Sequence, residues 1–194
     1  MREFVGMEIK NIPVINLRRE FEDHLSLFRQ EAFRQAVFNC AVEPVKLKNF
    51  TWYGLPHDLL TLMLQRSVVG LECYLCAAVH FELSKNQRLT KESEDAIENP
   101  FSLSKKAAVA LYEKLPALID PSLKLSQHKH ELYSSVETFY KNVRNPIFHG
   151  GQVGLSAENY GKVLSAFELI AAVYDWIDIW YTAFPYGWPR KESS

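Results

Sequence analysis

Apolar residues recur at steps of three and four along most of the chain, which is the spacing of amphipathic helices. One such stripe predicts a helix of about six turns over residues 17–40. A second predicts a helix over residues 58–83, which at ~1.5 Å per residue would be about 40 Å long. The clearest stripe predicts a helix that Ser156 caps and that ends near residue 183; it is formed by Tyr160, Val163, Leu164, Phe167, Ile170, Ala171, Tyr174 and Ile177.

Shorter helices are predicted between the second and the last of these. Ser104 is a suitable N-cap for a helix over residues 105–118, which Pro116 is expected to kink or end. Ser126 begins a further helix that stops near Pro146 and the two glycines behind it.

Three stretches do not fit long helices. Residues 85–100 are strongly polar and indicate an exposed connection with about one helical turn. Residues 7–15 and 45–52 are apolar or alternating, which is compatible with an ordered arm or a two-stranded ribbon. No internal repeat or linker divides the chain. We therefore predict one all-α domain, an antiparallel bundle of long helices with a short N-terminal arm or β-ribbon.

Composition and charge narrow the class of protein. Of 194 residues, 47% are apolar and 23% are charged, as in soluble globular proteins. The 22 basic and 23 acidic residues give a net charge of −1, so non-specific coating of nucleic acid by a basic excess is excluded. The first ten residues carry four charges and do not resemble a signal peptide, and no 18-residue apolar run predicts a membrane span. A cytoplasmic protein without membrane contact is expected.

The cysteines and histidines offer little chemistry by themselves. An odd count of three cysteines indicates free thiols. Cys73 and Cys76 form a CxxC in the middle of an apolar helix, where buried, inert thiols are favoured over a redox pair or half of a zinc site. His128 and His130 lie two residues apart and would face different directions on a helix, so solvated histidines are favoured over metal ligands. We predict no metal site and no cofactor.

The aromatic C-terminal segment allows two interpretations. Trp176 and Trp180 lie one turn apart and off the main apolar stripe of their helix. They could pack in the core, or they could anchor a subunit interface, where aromatic residues are enriched.

The segment from Tyr140 to Gly151, YKNVRNPIFHGG, is the most informative part of the chain. Pro146 is expected to break or kink the helix, which would bring Arg144, Asn145 and His149 to one side of it. A guanidinium can clamp a phosphate, and an imidazole can exchange a proton at neutral pH. The alternative is a helix cap in which the arginine and histidine bond terminal carbonyls and glycine supplies a left-handed turn.

This segment resembles the HEPN family, whose signature is an arginine and a histidine separated by four to six residues, often with a polar residue directly after the arginine. Arg144, Asn145 and His149 match that signature, and His149 is followed by glycine. The segment SVVGLECYL, Ser67 to Leu75, resembles the long helix of the family, which often carries an acidic residue at the place of Glu72.

The resemblance covers roughly residues 56–184. Residues 1–55, a helix with arm or ribbon segments, lie outside it but within the same domain, and residues 185–194 form a C-terminal tail. The resemblance implies a bundle of four to five helices that dimerises, with the Arg–His motifs of the two subunits in one cleft. Active members are metal-independent ribonucleases, and others are inactive RNA-binding or scaffold modules.

On this basis we expect a metal-independent endoribonuclease that acts as a homodimer, with a role in toxin–antitoxin, defence or stress responses. Arg144, Asn145 and His149 would be its catalytic residues, Glu72 would anchor Arg144 or form a plain surface salt bridge, and Trp176 and Trp180 are interface candidates. The alternative is a non-catalytic RNA-binding or protein-interaction module of the same fold that partners a nucleotidyltransferase or a defence protein. The partners expected besides a second copy and RNA are an antitoxin or a nucleotidyltransferase. In some toxins of the family a tyrosine two places after the histidine is modified by such a partner; here that place is Gly151.

Overall fold

The chain folds into α-helices, as predicted, and the computed structural model describes residues 14–41, 57–149 and 160–182. No strand occurs among these residues. The helices are α1 (Val14–Ala41), α2 (His57–Lys85), α3 (Lys91–Glu98), α4 (Ala107–Val109), α5 (Leu125–His128), α6 (His130–Phe139), α7 (Asn145–Phe148) and α8 (Tyr160–Trp180). Two π-helical turns occur, here called the first π turn (Ala110–Lys114) and the second π turn (Tyr140–Arg144), along with the 3-10 turns Pro100–Ser102, Pro116–Leu118 and Pro121–Leu123.

The three long helices α1, α2 and α8 pack side by side, as their apolar stripes require. Phe21 and Phe28 of α1 meet α8 at Tyr174 and Phe167, with ring centroids 4.9 and 4.3 Å apart. The later residue of α1, Phe28, meets the earlier residue of α8, Phe167, so these two helices are antiparallel. Such offset and tilted ring pairs each contribute about 0.5–1.5 kcal/mol beyond their burial.

A buried cation ties α1 to α8. The Arg18 guanidinium lies 3.3 Å from Asp175 Oδ1 and 3.5 Å from Asp178 Oδ2. Its Cζ also lies 4.3 Å from the centroid of the Tyr174 ring. Tyr74 of α2 donates to Asp178 Oδ1 over 2.7 Å, so the same carboxylate joins all three long helices.

Helix α2 is apolar on nearly all sides. By length and composition alone, its segment Thr61–Lys85 could cross a membrane. In the fold 61% of its most apolar window is buried inside the protein, which is the pattern of a core helix. Among its described side chains, the large apolar ones that remain exposed are Leu62, Val69 and Phe81.

The two tryptophans of α8 belong to the core of the subunit. Trp176 is 0% and Trp180 is 9% exposed, and their rings contact each other edge to face at 5.7 Å. Trp176 also packs against Tyr112 of the first π turn. The expectation that Trp176 and Trp180 are exposed interface anchors is therefore wrong for these two residues, because a second layer of helices covers the face of α8 on which they lie.

The polar connection after α2 contains a full helix. Thr90 and Ser93 form a capping box, in which each side chain accepts a hydrogen bond from the backbone N–H of the other. This box satisfies two of the donors that a helix start leaves unpaired, and it begins the eight-residue helix α3. The prediction of about one helical turn here was too short.

The helix predicted over residues 105–118 is shorter than expected. Helix α4 begins after Lys106 and continues as the first π turn to Lys114, so Pro116 ends it, as expected. Ser104 does not cap this helix; its hydroxyl accepts from the Lys106 N–H instead. The predictions for residues 7–15, 45–52 and 185–194, for the Ser156 cap and for the glycines at 150 and 151 lie wholly or mostly outside the described residues.

Candidate active site

The helix that carries the Arg–His motif runs through Pro146 instead of breaking there. Helix α6 continues into the second π turn and then into α7, which ends at Phe148. Proline removes a backbone donor and its ring crowds the carbonyl four residues earlier. The wider π turn lies directly before the proline, at the place where an ordinary α-helical turn would meet this conflict. The predicted break at Pro146 is therefore replaced by a change of helical pitch.

Arg144, the last residue of that turn, is paired with Glu72 of α2. Its Nε lies 3.1 Å from Glu72 Oε1, and its Nη2 lies 3.3 Å from Glu72 Oε2. The side chains are only 13% and 14% exposed. The anchor role expected for Glu72 thus agrees with this geometry, and a plain surface salt bridge does not. Burial by itself lowers the pKa of the Arg144 guanidinium, but the Glu72 carboxylate outweighs it and holds that pKa above its ordinary value.

Aromatic rings surround the same guanidinium. The Cζ atom of Arg144 lies 4.6 Å from the ring centroid of Phe148, 5.5 Å from that of Phe101 and 5.7 Å from that of Tyr140. Cation–π contacts of this kind hold a guanidinium by about 0.5–2 kcal/mol and exclude water around it. Arg144 is therefore fixed on several sides at once.

Asn145 and His149 follow on the same helical segment. The Asn145 Oδ1 lies 3.5 Å from Nη1 of Arg144, at the outer limit of a hydrogen bond. His149 is exposed and ends the helix, and its backbone N–H is shared between the carbonyls of Asn145 and Pro146. Five residues of helix place His149 about 7–8 Å along the axis from Arg144.

These positions bear on the helix-cap alternative. Among the described residues, the Arg144 side chain donates to Glu72 and Asn145 and to no terminal carbonyl of the helix. A cap does not explain this arginine.

Two residues that sequence reasoning missed hold the site in place. Gln65 of α2 donates from Nε2 to the Ile147 carbonyl over 2.7 Å, so it satisfies a backbone acceptor of α7 and fastens α7 to α2. Tyr140 donates to Glu72 Oε1 over 2.9 Å, and its own oxygen lies 2.9 Å from the hydroxyl of Tyr112. No sequence motif marks Gln65 or Tyr140, because each of them acts by binding a carbonyl or a carboxylate of a residue distant in the sequence.

The CxxC pair lies one residue beyond Glu72 on α2. Cys76 is buried and Cys73 is half-buried, and burial raises the pKa of both thiols, with neighbouring negative charge adding to it. Raised thiol pKa values disfavour the thiolate, so these cysteines are poor nucleophiles. His128 and His130 are exposed. Among the described residues, no group of three or more potential metal ligands lies together.

Comparisons of the chain with protein-family models, with curated proteins and with solved structures found no match.

Proposed function

We propose that the protein is a HEPN-like, metal-independent endoribonuclease that acts as a homodimer. The observation that carries this proposal is the Glu72-anchored Arg144, which shares one helical end with Asn145 and the exposed His149. This set supplies a cation for a phosphate, an amide and an imidazole that can give or take a proton.

The reaction would use the 2′-hydroxyl of the substrate as nucleophile. His149 of one subunit takes the 2′-hydroxyl proton as the oxygen attacks phosphorus. His149 of the partner subunit gives a proton to the departing 5′-oxygen. The products are a 2′,3′-cyclic phosphate and a 5′-hydroxyl, and no metal is needed. Each proton-transfer role contributes typically ~10²–10⁴-fold to the rate.

Arg144 would stabilise the charge that develops on the phosphate oxygens. Glu72 takes the N–H of Nε and one N–H of Nη2, and Asn145 lies 3.5 Å from Nη1, so the second N–H groups of Nη1 and Nη2 would be the donors for a phosphate. A preorganised donor of this kind acts without reorganising at the moment of reaction, which is why removing one such donor typically costs about 10²–10³-fold in rate.

The second candidate is a non-catalytic HEPN-fold module that binds RNA or a protein partner. The observation that favours it is the buried Glu72–Arg144 pair, because the carboxylate compensates most of the charge that a phosphate would need. The balanced charge of the whole chain, −1, points the same way.

A cleavage assay in excess chelator separates the two candidates. The purified protein is incubated with a mixed-sequence RNA in EDTA, and the product ends are identified as cyclic phosphate and 5′-hydroxyl. His149→Ala should abolish cleavage with little change in melting temperature, since the residue is exposed. His128→Ala is the matched control, because it removes an exposed histidine from another helix end and should cleave normally.

Absence of cleavage by the unaltered protein, with retained RNA binding, would favour the non-catalytic module. Cleavage that survives His149→Ala would contradict the assignment of the general base. Sedimentation of the active protein as a monomer would contradict the composite site.

A further inference from the structure

The two π turns face each other through their tyrosines. Tyr112 lies in the first and Tyr140 in the second, and both side chains are buried. Their rings meet edge to face with centroids 5.6 Å apart, and their hydroxyl oxygens are 2.9 Å apart. We call these two residues the tyrosine pair. π turns are uncommon and are concentrated at functional sites. Here two π turns are joined by one hydrogen bond, and the second of them ends at Arg144. Their position suggests a role in the candidate site.

The direction of the hydrogen bonds follows from counting protons. Each phenol has one proton to donate, and a carboxylate has none. Tyr140 donates its proton to Glu72 Oε1, so Tyr112 must donate to the oxygen of Tyr140. Burial raises the pKa of both phenols, and the negative charge of Glu72 raises it further, so both remain protonated donors. The chain therefore runs one way, from the core to the carboxylate, and each bond polarises the next.

The carboxylate of Glu72 is thereby held by three donors. Tyr140 and the Nε of Arg144 share Oε1, and the Nη2 of Arg144 takes Oε2. The rings and Asn145 hold the guanidinium itself, but of these three donors only the Tyr140 hydroxyl lies outside Arg144, so without it the carboxylate is held by the guanidinium alone. The terminal nitrogens of the guanidinium, including Nη1 beside Asn145, would then be aimed less firmly.

We infer that the tyrosine pair is a positioning element that acts through Glu72 and fixes the direction in which Arg144 presents Nη1 to a substrate phosphate. This inference rests on the proposed function. A misplacement of ~1 Å in a reacting arrangement can cost about 10²-fold in rate. A residue that contributes only to the fold has no such effect on the rate.

The kinetic test compares Tyr140→Phe with a buried control. Tyr140→Phe removes the hydroxyl and keeps the ring, and we expect kcat to fall about tenfold with KM unchanged, as for an interaction made in the transition state. Tyr74→Phe is the matched control, because Tyr74 is also buried and also donates to a carboxylate, that of Asp178, on the α2–α8 side of the fold. It should lower the melting temperature and leave kcat unchanged. Tyr112→Phe, which removes only the far end of the chain, should give a smaller fall in kcat, and it tests the inference if Tyr140→Phe does not fold.

A second readout does not depend on cleavage. The Nε–H of Arg144 gives an NMR signal that can be assigned by its loss in Arg144→Lys, and its exchange with water reports how firmly Glu72 holds it. We expect exchange to be at least about fivefold faster in Tyr140→Phe and unchanged in Tyr74→Phe, since only the former loosens the carboxylate.

The outcomes separate the inference from the proposed function. If the unaltered protein does not cleave RNA, the proposed function fails and the Nε–H exchange alone decides the inference. Unchanged exchange in Tyr140→Phe and Tyr112→Phe overturns the inference, whether or not RNA is cleaved. Faster exchange with undiminished kcat in a cleaving protein also overturns it, because the orientation of Arg144 would then be irrelevant to the reacting phosphate.

Discussion

Replacing Glu72 by glutamine tests how strongly the fold depends on the Glu72–Arg144 pair. Glu72→Gln keeps the size and shape of the side chain. The amide oxygen can still accept from Tyr140, but the amide nitrogen is a donor and would face Nη2 of Arg144, which is also a donor. The guanidinium would keep its charge in a site from which most water is excluded.

The expected cost follows from burial. Breaking a buried ion pair by removing one partner costs about 3–5 kcal/mol, because the other charge stays behind without compensation. The two side chains keep 13% and 14% exposure, so we take the lower end, about 3 kcal/mol. For a chain of this size that corresponds to a fall of about 6–12 °C in melting temperature.

Glu168→Gln provides a control of the same chemistry at the surface. Glu168 binds Arg29 through two hydrogen bonds of 2.8 Å, a geometry at least as good as that of Glu72 with Arg144. Those side chains are 43% and 57% exposed, so the loss should stay below about 1 kcal/mol. Urea unfolding followed by tryptophan fluorescence measures both variants. Equal losses in the two variants, or a loss under about 1 kcal/mol for Glu72→Gln, would refute the argument from burial.

Two further variants test the packing of α1 and α2. Burial lowers the pKa of the His24 imidazole below its ordinary 6.5, so as the pH falls the unfolded chain binds a proton before the folded one does. The contribution of His24 to the free energy of unfolding should therefore be complete above pH 6.5 and should be lost as the pH falls below that value. Urea titrations between about pH 5 and 7 should show this decrease, and His24→Gln should make the free energy of unfolding depend less on pH in this range. Gly70→Ala should raise the melting temperature by about 1–4 °C, since alanine is favoured in a helix by ~1 kcal/mol. The added Cβ would meet the Tyr174 hydroxyl at an ordinary 3.5 Å, and a lower melting temperature would show that the helices cannot accept it.

The long helices could be predicted because apolar residues recur in them at the helical spacing. The stripes of α1, α2 and α8 have the helical period over many turns, so errors at their ends do not change the assignment. The short elements were less predictable. The capping box at Thr90 uses serine instead of glutamate at its third position, and the π turns have no period of their own.

Burial of the tryptophans could not be read from α8 alone. A helical wheel separates the face toward α1 and α2 from the opposite face, and Trp176 lies off the main stripe. Besides α1 and α2, α8 also packs against α6, and Tyr112 of the first π turn contacts Trp176. Whether an off-stripe aromatic residue is exposed depends on a second layer that comes from a distant part of the chain. The period of a single helix does not contain that information.

The candidate site also contains residues that the sequence alone indicates and residues that it does not. The Arg–Asn–His spacing and the acidic residue of α2 are readable because each is a chemically distinctive side chain. The tyrosine pair is not, because a tyrosine among apolar neighbours has the pattern of an ordinary core residue. Its hydroxyl becomes informative only when the direction of the proton is worked out from its partners.

The buried pair also bears on why the site contains charge at all. Two hydrophobic residues of similar volume are often as stabilising as a buried ion pair, so stability alone is weak grounds for having one. Here the carboxylate is bound by a guanidinium and a phenol, the guanidinium by three rings, and the phenol by a second phenol. The contacts of the guanidinium with Glu72 and with the three rings fix its position, which a pair of hydrophobic residues would not provide for a cation. Under the proposed function the arrangement has a reason that stability alone does not supply, which is to aim one cation at a phosphate.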